Sequence, residues 1–389
     1  MLLKLIAAAF GKRGKTAPAA APRYEGPQQR GFVAFVVDVE RAHFIVPGDR
    51  IVSDQASLRL RAWLPALELS KRVPVCLVPL THVERDPELR ELGEVRAIVV
   101  GKFSVQRITG EPARFMALAD WAQTMAAKVH VVADFCDDLA AASAMYDSSA
   151  PAAYQAQLLQ SCAAVASTHA LREQLLPQAR LGVSVIEDPY ERETAQAPVF
   201  VPPPKIRLAW FGVFGPPLMP FLTEAFSAVA GRISPRPAEL RFITHVSQAG
   251  LARELGEKLR AVHPGFMLHF VPWSREAVAA ELAKAHLVLL PQDASGAWGR
   301  AKSHNRLVET LRAGRFAIAS PIPSYLEMKD YAWVGSSLGD GVLWALSHRN
   351  AVLAKVRAGQ LYVEQRFAPH VIGERWAQAL KLDAEASVQ

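Results

Sequence analysis

Cysteine is scarce: Cys76, Cys136 and Cys162 are the whole complement of a 389-residue chain. All three sit in or beside apolar runs and lack metal-ligand spacing, which excludes a disulfide framework and leaves them as reduced core residues of a cytoplasmic protein. Long blocks of one charge are missing as well. The 44 basic and 37 acidic residues give a net charge of +7 without a long basic run, and aromatic residues are not interleaved with the basic ones. That balance suits an anionic small ligand or an acidic membrane surface and gives no support to a nucleic-acid partner. No Asp-x-Asp dyad follows a strand, and the adjacent pair Asp137-Asp138 reads as a turn or helix start, so no metal ligands are assigned.

What is present is apolar bulk. With 51% hydrophobic residues the chain can bury two cores, and its length suits two domains. The first fifteen residues, MLLKLIAAAFGKRGK, hold an apolar segment too short to span a bilayer, with its basic residues after the apolar run and not before it. Two readings stand: a frayed tail, or a short amphipathic helix resting on anionic lipid at the inner membrane face. Residues 16–29 are rich in Ala and Pro and read as a linker.

Strand patterns then alternate with helical ones. Phe32–Val37, Val73–Val78, Arg96–Val100, Val129–Ala133, Ala163–Ser167 and Val183–Glu187 read as strands. Between them, Glu111–Ala127 carries an apolar stripe at helical spacing, and Ser57–Leu69 has helical spacing with Pro65 expected to kink it. The proline-rich stretch 194–204 breaks the pattern, and the rhythm restarts with strands at Ile206–Phe211, Leu240–Thr244, Phe266–Val271, His286–Pro291, Phe316–Ser320 and Tyr331–Val334. The expected fold class is α/β: two doubly wound, Rossmann-like domains facing across a cleft. Its divisions are a tail and linker over 1–30, a first domain over 31–193, a linker over 194–204, a second domain over 205–366, and a closing helix and tail over 367–389.

One stretch of the second half concentrates chemistry. Between the strand ending at Pro291 and the strand starting at Phe316, the loop to Lys302 is rich in Gly, Ser and charge, and Ser303–Ala313 reads as a helix stopped by Gly314. In a parallel sheet a ligand sits beyond the carboxyl ends of the strands, here at residues 293–302 and the first helical turn. The turn's N–H groups suit an anion such as phosphate, and Lys302, Ser303 and Arg306 add to them. Asn305 and Glu309 share a helix face, while Leu307, Val308 and Leu311 turn to the sheet. Glu309 one turn behind a phosphate site can accept two hydroxyl hydrogen bonds; on a solvated face it would pair instead with Arg306 or Arg312. Gly212 and Gly215, after the strand Ile206–Phe211, let backbone approach a ligand or a facing domain closely, or simply form a strand-to-helix turn.

The order Lys302-Ser303-x-Asn305-Arg306-(apolar)₂-Glu309-x₄-Gly314, an apolar strand and then Ser320-x-x-Pro323-x-Tyr325 resembles the nucleotide-binding segment of GT-B-fold glycosyltransferases. Ser57-x-Arg59-x-Arg61, the acidic turn Asp134 to Asp138, Ser167-Thr168 and Glu187-Asp188-Pro189 resemble segments of the same family in the same order, over about Gly31 to Leu382. The resemblance implies that Glu309 holds the ribose of a nucleotide and that Lys302 and its polar neighbours meet the diphosphate. It also implies that Arg59 and Arg61 face the acceptor side, and that the closing helix 368–381, with Trp376, returns to the first domain. Many retaining members carry a second acid where this chain has Ala301.

The expectation is therefore a glycosyltransferase that needs no metal or other cofactor, with a nucleotide sugar as co-substrate and a glycan, lipid-linked or other hydroxyl acceptor, as in polysaccharide biosynthesis. For acid or base work the candidates are His43 and Asp134, with Asp38 and Asp49 nearby in sequence. A non-catalytic nucleotide- or glycan-binding module and a nucleotide-sugar epimerase are the alternatives.

Overall fold

The computed structural model describes residues 26–50, 53–191, 194–201 and 204–382. Residues 1–15, read above as a lipid-facing segment, lie outside the described residues. The chain divides into two compact units. An N-terminal unit holds the described residues up to Tyr190 together with Gly296–Ser303 and 366–382, and a C-terminal unit holds Glu191–Ser295 and His304–Gln365.

The N-terminal unit is built on a seven-stranded sheet. Its strands are β1 (Gln29–Val37), β2 (His43–Phe44), β3 (Val75–Pro79), β4 (Gly93–Val100), β5 (His130–Phe135), β6 (Ala163–Ala166) and β7 (Val183–Val185), in the order β2-β3-β1-β4-β5-β6-β7. All pairings are parallel except β2 with β3, where His43 faces Leu77. Central β1 is apolar on both faces because both are covered. Phe32, Ala34 and Val36 enter one core with Phe115 and Leu118 of helix Pro112–Ala126. Val33, Phe35 and Val37 enter the other with Ala66, Ile372 and Trp376. The Trp376 ring, on helix Pro369–Ala379, meets Phe35 edge-on at 5.9 Å.

Pro65 shapes the first helical segment differently from a simple kink. Leu58–Trp63 is a π-helix, Leu64 N–H bonding back to the Arg59 carbonyl, and α-helix follows over Leu64–Leu69. Proline cannot donate to the carbonyl four residues back and its ring crowds that turn; the wider preceding turn accommodates it.

In the C-terminal unit, β8 (Ile206–Phe211), β9 (Ala238–Thr244), β10 (Phe266–Pro272), β11 (Leu287–Leu290), β12 (Phe316–Ala319) and β13 (Trp333–Val334) form a wholly parallel sheet ordered β10-β9-β8-β11-β12-β13. Helix Asn305–Arg312 leads from β11 to β12 and buries Leu307, Val308 and Leu311. It ends in a Schellman motif: Gly314 N–H bonds to the Leu311 carbonyl and Arg315 N–H to that of Thr310. Glycine is required there twice over. Its φ is +67°, and a Cβ would stand 2.5 Å from the Ala197 carbonyl oxygen. The proline-rich stretch is thus tied down, Gln196 N–H bonding to the Arg312 carbonyl at 2.8 Å. Among the described residues no helix is long and apolar enough to cross a membrane.

Candidate functional site

In a doubly wound sheet the ligand crevice opens where strand order reverses, beyond the carboxyl ends. In the C-terminal unit that point lies between β8 and β11. Gly212 leaves β8 with φ +154°, and a Cβ there would stand 3.3 Å from Arg306 Nη1. A side chain at 212 would therefore strain the backbone and crowd the guanidinium. Arg306 Nη2 donates to Gln292 Oε1 at 2.6 Å, and Gln292 N–H donates to Ser320 Oγ at 3.0 Å. Three strand ends thus converge on one guanidinium. Gly215 is extended, and a Cβ would have only Pro217 Cδ nearby, at 3.8 Å, so nothing local demands glycine there.

Glu309 accepts the Glu191 N–H at 2.8 Å. Arg312 pairs with Glu364 at 2.6 Å, and Arg306 donates to Gln292. Asn305, half-buried, opens the helix, and the preceding His304 makes no side-chain cap bond. His304 is buried and its Nε2 donates to Glu327 at 3.2 Å. At the end of β9, His245 Nδ1 lies 2.8 Å from Ser247 Oγ.

Lys302 and Ser303 belong to the N-terminal unit. Lys302 Nζ donates to Asp137 Oδ1 at 2.6 Å and sits 3.9 Å from the centroid of the Trp298 ring. The other oxygen of Asp137 takes Lys102 Nζ. Burial would raise the Asp137 pKa, but the two ammoniums outweigh it and hold it down at about 2. Burial likewise opposes the Lys102 charge, and Asp137 overcomes it, leaving Lys102 above its ordinary value. Ala301 is 1% exposed within the apolar cluster of this unit, and its carbonyl accepts from Thr168 Oγ1 at 3.2 Å.

Strand order in the N-terminal sheet reverses between β1 and β4. Asp38, just past β1, is bound by Arg107. Asp134 is buried on β5 and gives both carboxylate oxygens to Arg61, at 3.1 Å from Nε and 2.5 Å from Nη2. Arg61 also donates to the Ile186 carbonyl at 2.6 Å and reaches Asp188 at 3.3 Å. Arg59, equally buried, donates to the Ser53 carbonyl at 2.8 Å. The candidate bases therefore differ in kind. His43 is 43% exposed, lies parallel to the Trp63 ring, and its Nε2 donates to Asp49 Oδ2 at 2.8 Å. Burial works to raise the Asp49 pKa, and the Val46 N–H with His43 brings it below the ordinary value.

Gln292, Lys102 and Arg107 carry no signal of their own in the sequence. Each is one polar residue just beyond a strand or in a short helix, recognisable only once the partner strand is known.

No protein-family model matches the chain, and no curated protein matches it in sequence. Solved structures do match in shape. Anabaena HepE in complex with UDP-glucose superposes with a TM-score of 0.62 at 11% identity, over 90% of this chain and 99% of that one. Trehalose-6-phosphate from E. coli bound with UDP-2-fluoro glucose gives 0.59 at 9% identity, over 90% and 99%. A glycosyltransferase from Rickettsia africae gives 0.51 at 11%, over 92% and 100%. This chain has the GT-B fold. At such identities the likeness establishes the GT-B architecture and leaves the chemistry to the residues.

Proposed function

We propose that this GT-B chain is a glycosyltransferase that moves a sugar from a nucleotide sugar to a hydroxyl acceptor, with the donor nucleotide held in the C-terminal unit. The observation that carries the reading is the convergence of Gly212, Gln292 and Arg306 at the switch point of the C-terminal sheet, with Glu309 one turn behind. Glycosyl transfer must neutralise a leaving diphosphate, and a guanidinium beside an uncrowded glycine and a helix amino end suits that charge. Glu309 suits the ribose: an ionised carboxylate accepts hydroxyl hydrogen bonds, and the Glu191 N–H already fixes one of its oxygens. The solved structures that share the fold include two bound with UDP sugars, which supports a nucleotide-sugar donor.

In this reading Gly215 and Asn305 remain donor-side candidates, whereas Lys302 and Ser303, expected there from the sequence, belong to the N-terminal unit, where Lys302 shares its charge with Asp137. Arg59 and Arg61 shape the acceptor side through the backbone and carboxylates they hold. His43, oriented by Asp49, takes the acceptor proton; Asp134, consumed by Arg61, is a positioning residue. The reaction asks for no metal and no cofactor beyond the nucleotide sugar. The chain would work in the cytoplasm, on a glycan or lipid-linked acceptor, with residues 1–15 against an anionic membrane face.

A non-catalytic binding module is the second reading, favoured by the burial of Ala301 where many retaining relatives carry an acid. A thermal-shift screen against UDP, GDP, ADP, CMP and their sugar conjugates tests both, since a ligand that binds only the folded state raises Tm. A shift that disappears in Glu309→Ala, followed by turnover of that donor, supports the transferase; a shift without turnover on any acceptor supports the module. No shift with a folded protein overturns the transferase and leaves a non-catalytic module that binds glycan.

A further inference from the structure

On the segment that links β3 to β4, His82, Asp86 and Glu91 offer ligand atoms that all lie within 4.8 Å of one another. His82 and Asp86 are four apart at the end of helix Leu80–Arg85, and Glu91 closes the turn into β4. His82 is 1% exposed. Its Nε2 has no hydrogen-bond partner, the nearest carboxylate oxygen, Asp86 Oδ2, standing 3.8 Å away. A buried imidazole nitrogen that stands beside a carboxylate without bonding to it is a polar atom left unsatisfied, which is costly unless something fills the gap.

The surroundings are fixed. Asp86 Oδ2 accepts the Glu91 N–H at 2.7 Å, Trp121 Nε1 donates to the Pro87 carbonyl at 2.7 Å, and Leu89 is fully buried. Arg85 supplies the present positive charge: its Nη2 donates to His82 Nδ1 at 2.9 Å and to Glu91 Oε2 at 2.7 Å. Burial, then the neighbouring Arg85, lowers the His82 pKa from its ordinary value.

We propose that His82 Nε2, Asp86 and Glu91 bind one divalent transition-metal ion of zinc type, and that Arg85 competes with the ion for the same pocket. One imidazole and two carboxylates are a donor set for zinc, with a fourth position left to water. Ligand atoms at ordinary zinc distances stand about 3.4 Å apart in a tetrahedron, so the cluster closes by roughly 1 Å or so on binding. The imidazole moves its proton from Nε2 to Nδ1, with no net loss, and Arg85, its side chain 26% exposed, turns away from Nδ1 and Glu91. The ion would staple the turn 86–92 to the preceding helix, independently of the transferase reading.

The test is isothermal titration of tag-free, chelator-stripped full-length protein with zinc alone, paired with Tm in its presence and cobalt absorption as a report of coordination. The expected result is one ion per chain and a raised Tm. Glu91→Gln and His82→Asn should each weaken binding by about tenfold or more. Arg85→Met should tighten it, because the competing charge is gone. If His82→Asn fails to fold, the half-buried Glu91 and Arg85 variants decide alone. No binding overturns the assignment, as does zinc affinity unchanged in Glu91→Gln or weakened in Arg85→Met.

Discussion

Arg61 and Asp134 form a bidentate ion pair that is closed to solvent, the two side chains being 2% and 0% exposed. Neither can serve a substrate without breaking that pair. Removing Asp134 leaves the buried Arg61 charge to Asp188 at 3.3 Å and the Ile186 carbonyl, and breaking a buried pair costs up to about 3–5 kcal/mol. Asp134→Asn should therefore lower stability by that order in chemical denaturation. Any loss of activity in the variant should track loss of folded protein.

His43 should behave in the opposite way. It is half-exposed, so His43→Ala is expected to change stability little, while a general base contributes about 10²–10⁴ in rate. With the donor selected by thermal shift, initial rates should fall in kcat at unchanged nucleotide affinity. Asp49→Asn, which removes the orienting carboxylate, should displace the pH profile. A His43→Ala enzyme with wild-type kcat would remove His43 from the mechanism.

Glu309→Ala should weaken nucleotide binding by about 1–3 kcal/mol, the worth of a hydrogen bond to a charged group. Titration calorimetry against the nucleoside diphosphate reads it directly. The deoxyribose analogue separates causes. If Glu309 holds ribose hydroxyls, wild type should discriminate against the analogue and the variant should not.

Asp137 gives the N-terminal unit an acid limit. Its carboxyl is held at about 2, below the ordinary 3.8, so the unfolded state binds its proton more readily than the folded state does. The stabilisation is complete above pH 4 and disappears as pH falls from about 4 towards 2, amounting to about 2 kcal/mol for this group. Asp137→Asn should lose stability at pH 7 and show a flatter acid limb in denaturant titrations between those values. Equal slopes in the two proteins would assign the acid limb to other carboxylates.

Periodicity made most of this architecture readable in advance, because apolar strands covered on both faces and amphipathic helices leave their period in the sequence. Helix Asn305–Arg312, the burial of its Leu307, Val308 and Leu311 and its stop at Gly314 were legible. The π-turn at Leu58–Trp63 was legible only as a proline out of place, and the two-residue strand His43–Phe44 not at all, since two residues have no period. Side-chain partners were the least legible. Asp134 lies 73 residues from Arg61 and Lys302 lies 165 from Asp137, so only the tertiary fold brings each pair together and no local spacing announces it. His82 and Asp86 stand at helical spacing, but Glu91 joins them only through a turn.

The sequence resemblance sets Ala301 where many retaining GT-B glycosyltransferases carry an acid, and its environment says what an acid there would do. The residue is 1% exposed among apolar side chains of the N-terminal unit, within a segment fixed by Thr168 on the Ala301 carbonyl and by Gln174 on that of Ala297, each at 3.2 Å. A glutamate there must either bury an unpaired carboxyl or push the segment out of its seat. Either route costs several kcal/mol, on the order of 3 or more. Ala301→Glu should thus lower Tm markedly without raising turnover, whereas the nearly isosteric Ala301→Ser should change Tm far less. A stable Ala301→Glu protein with increased transfer would mean that this segment adopts a different seat in the working enzyme.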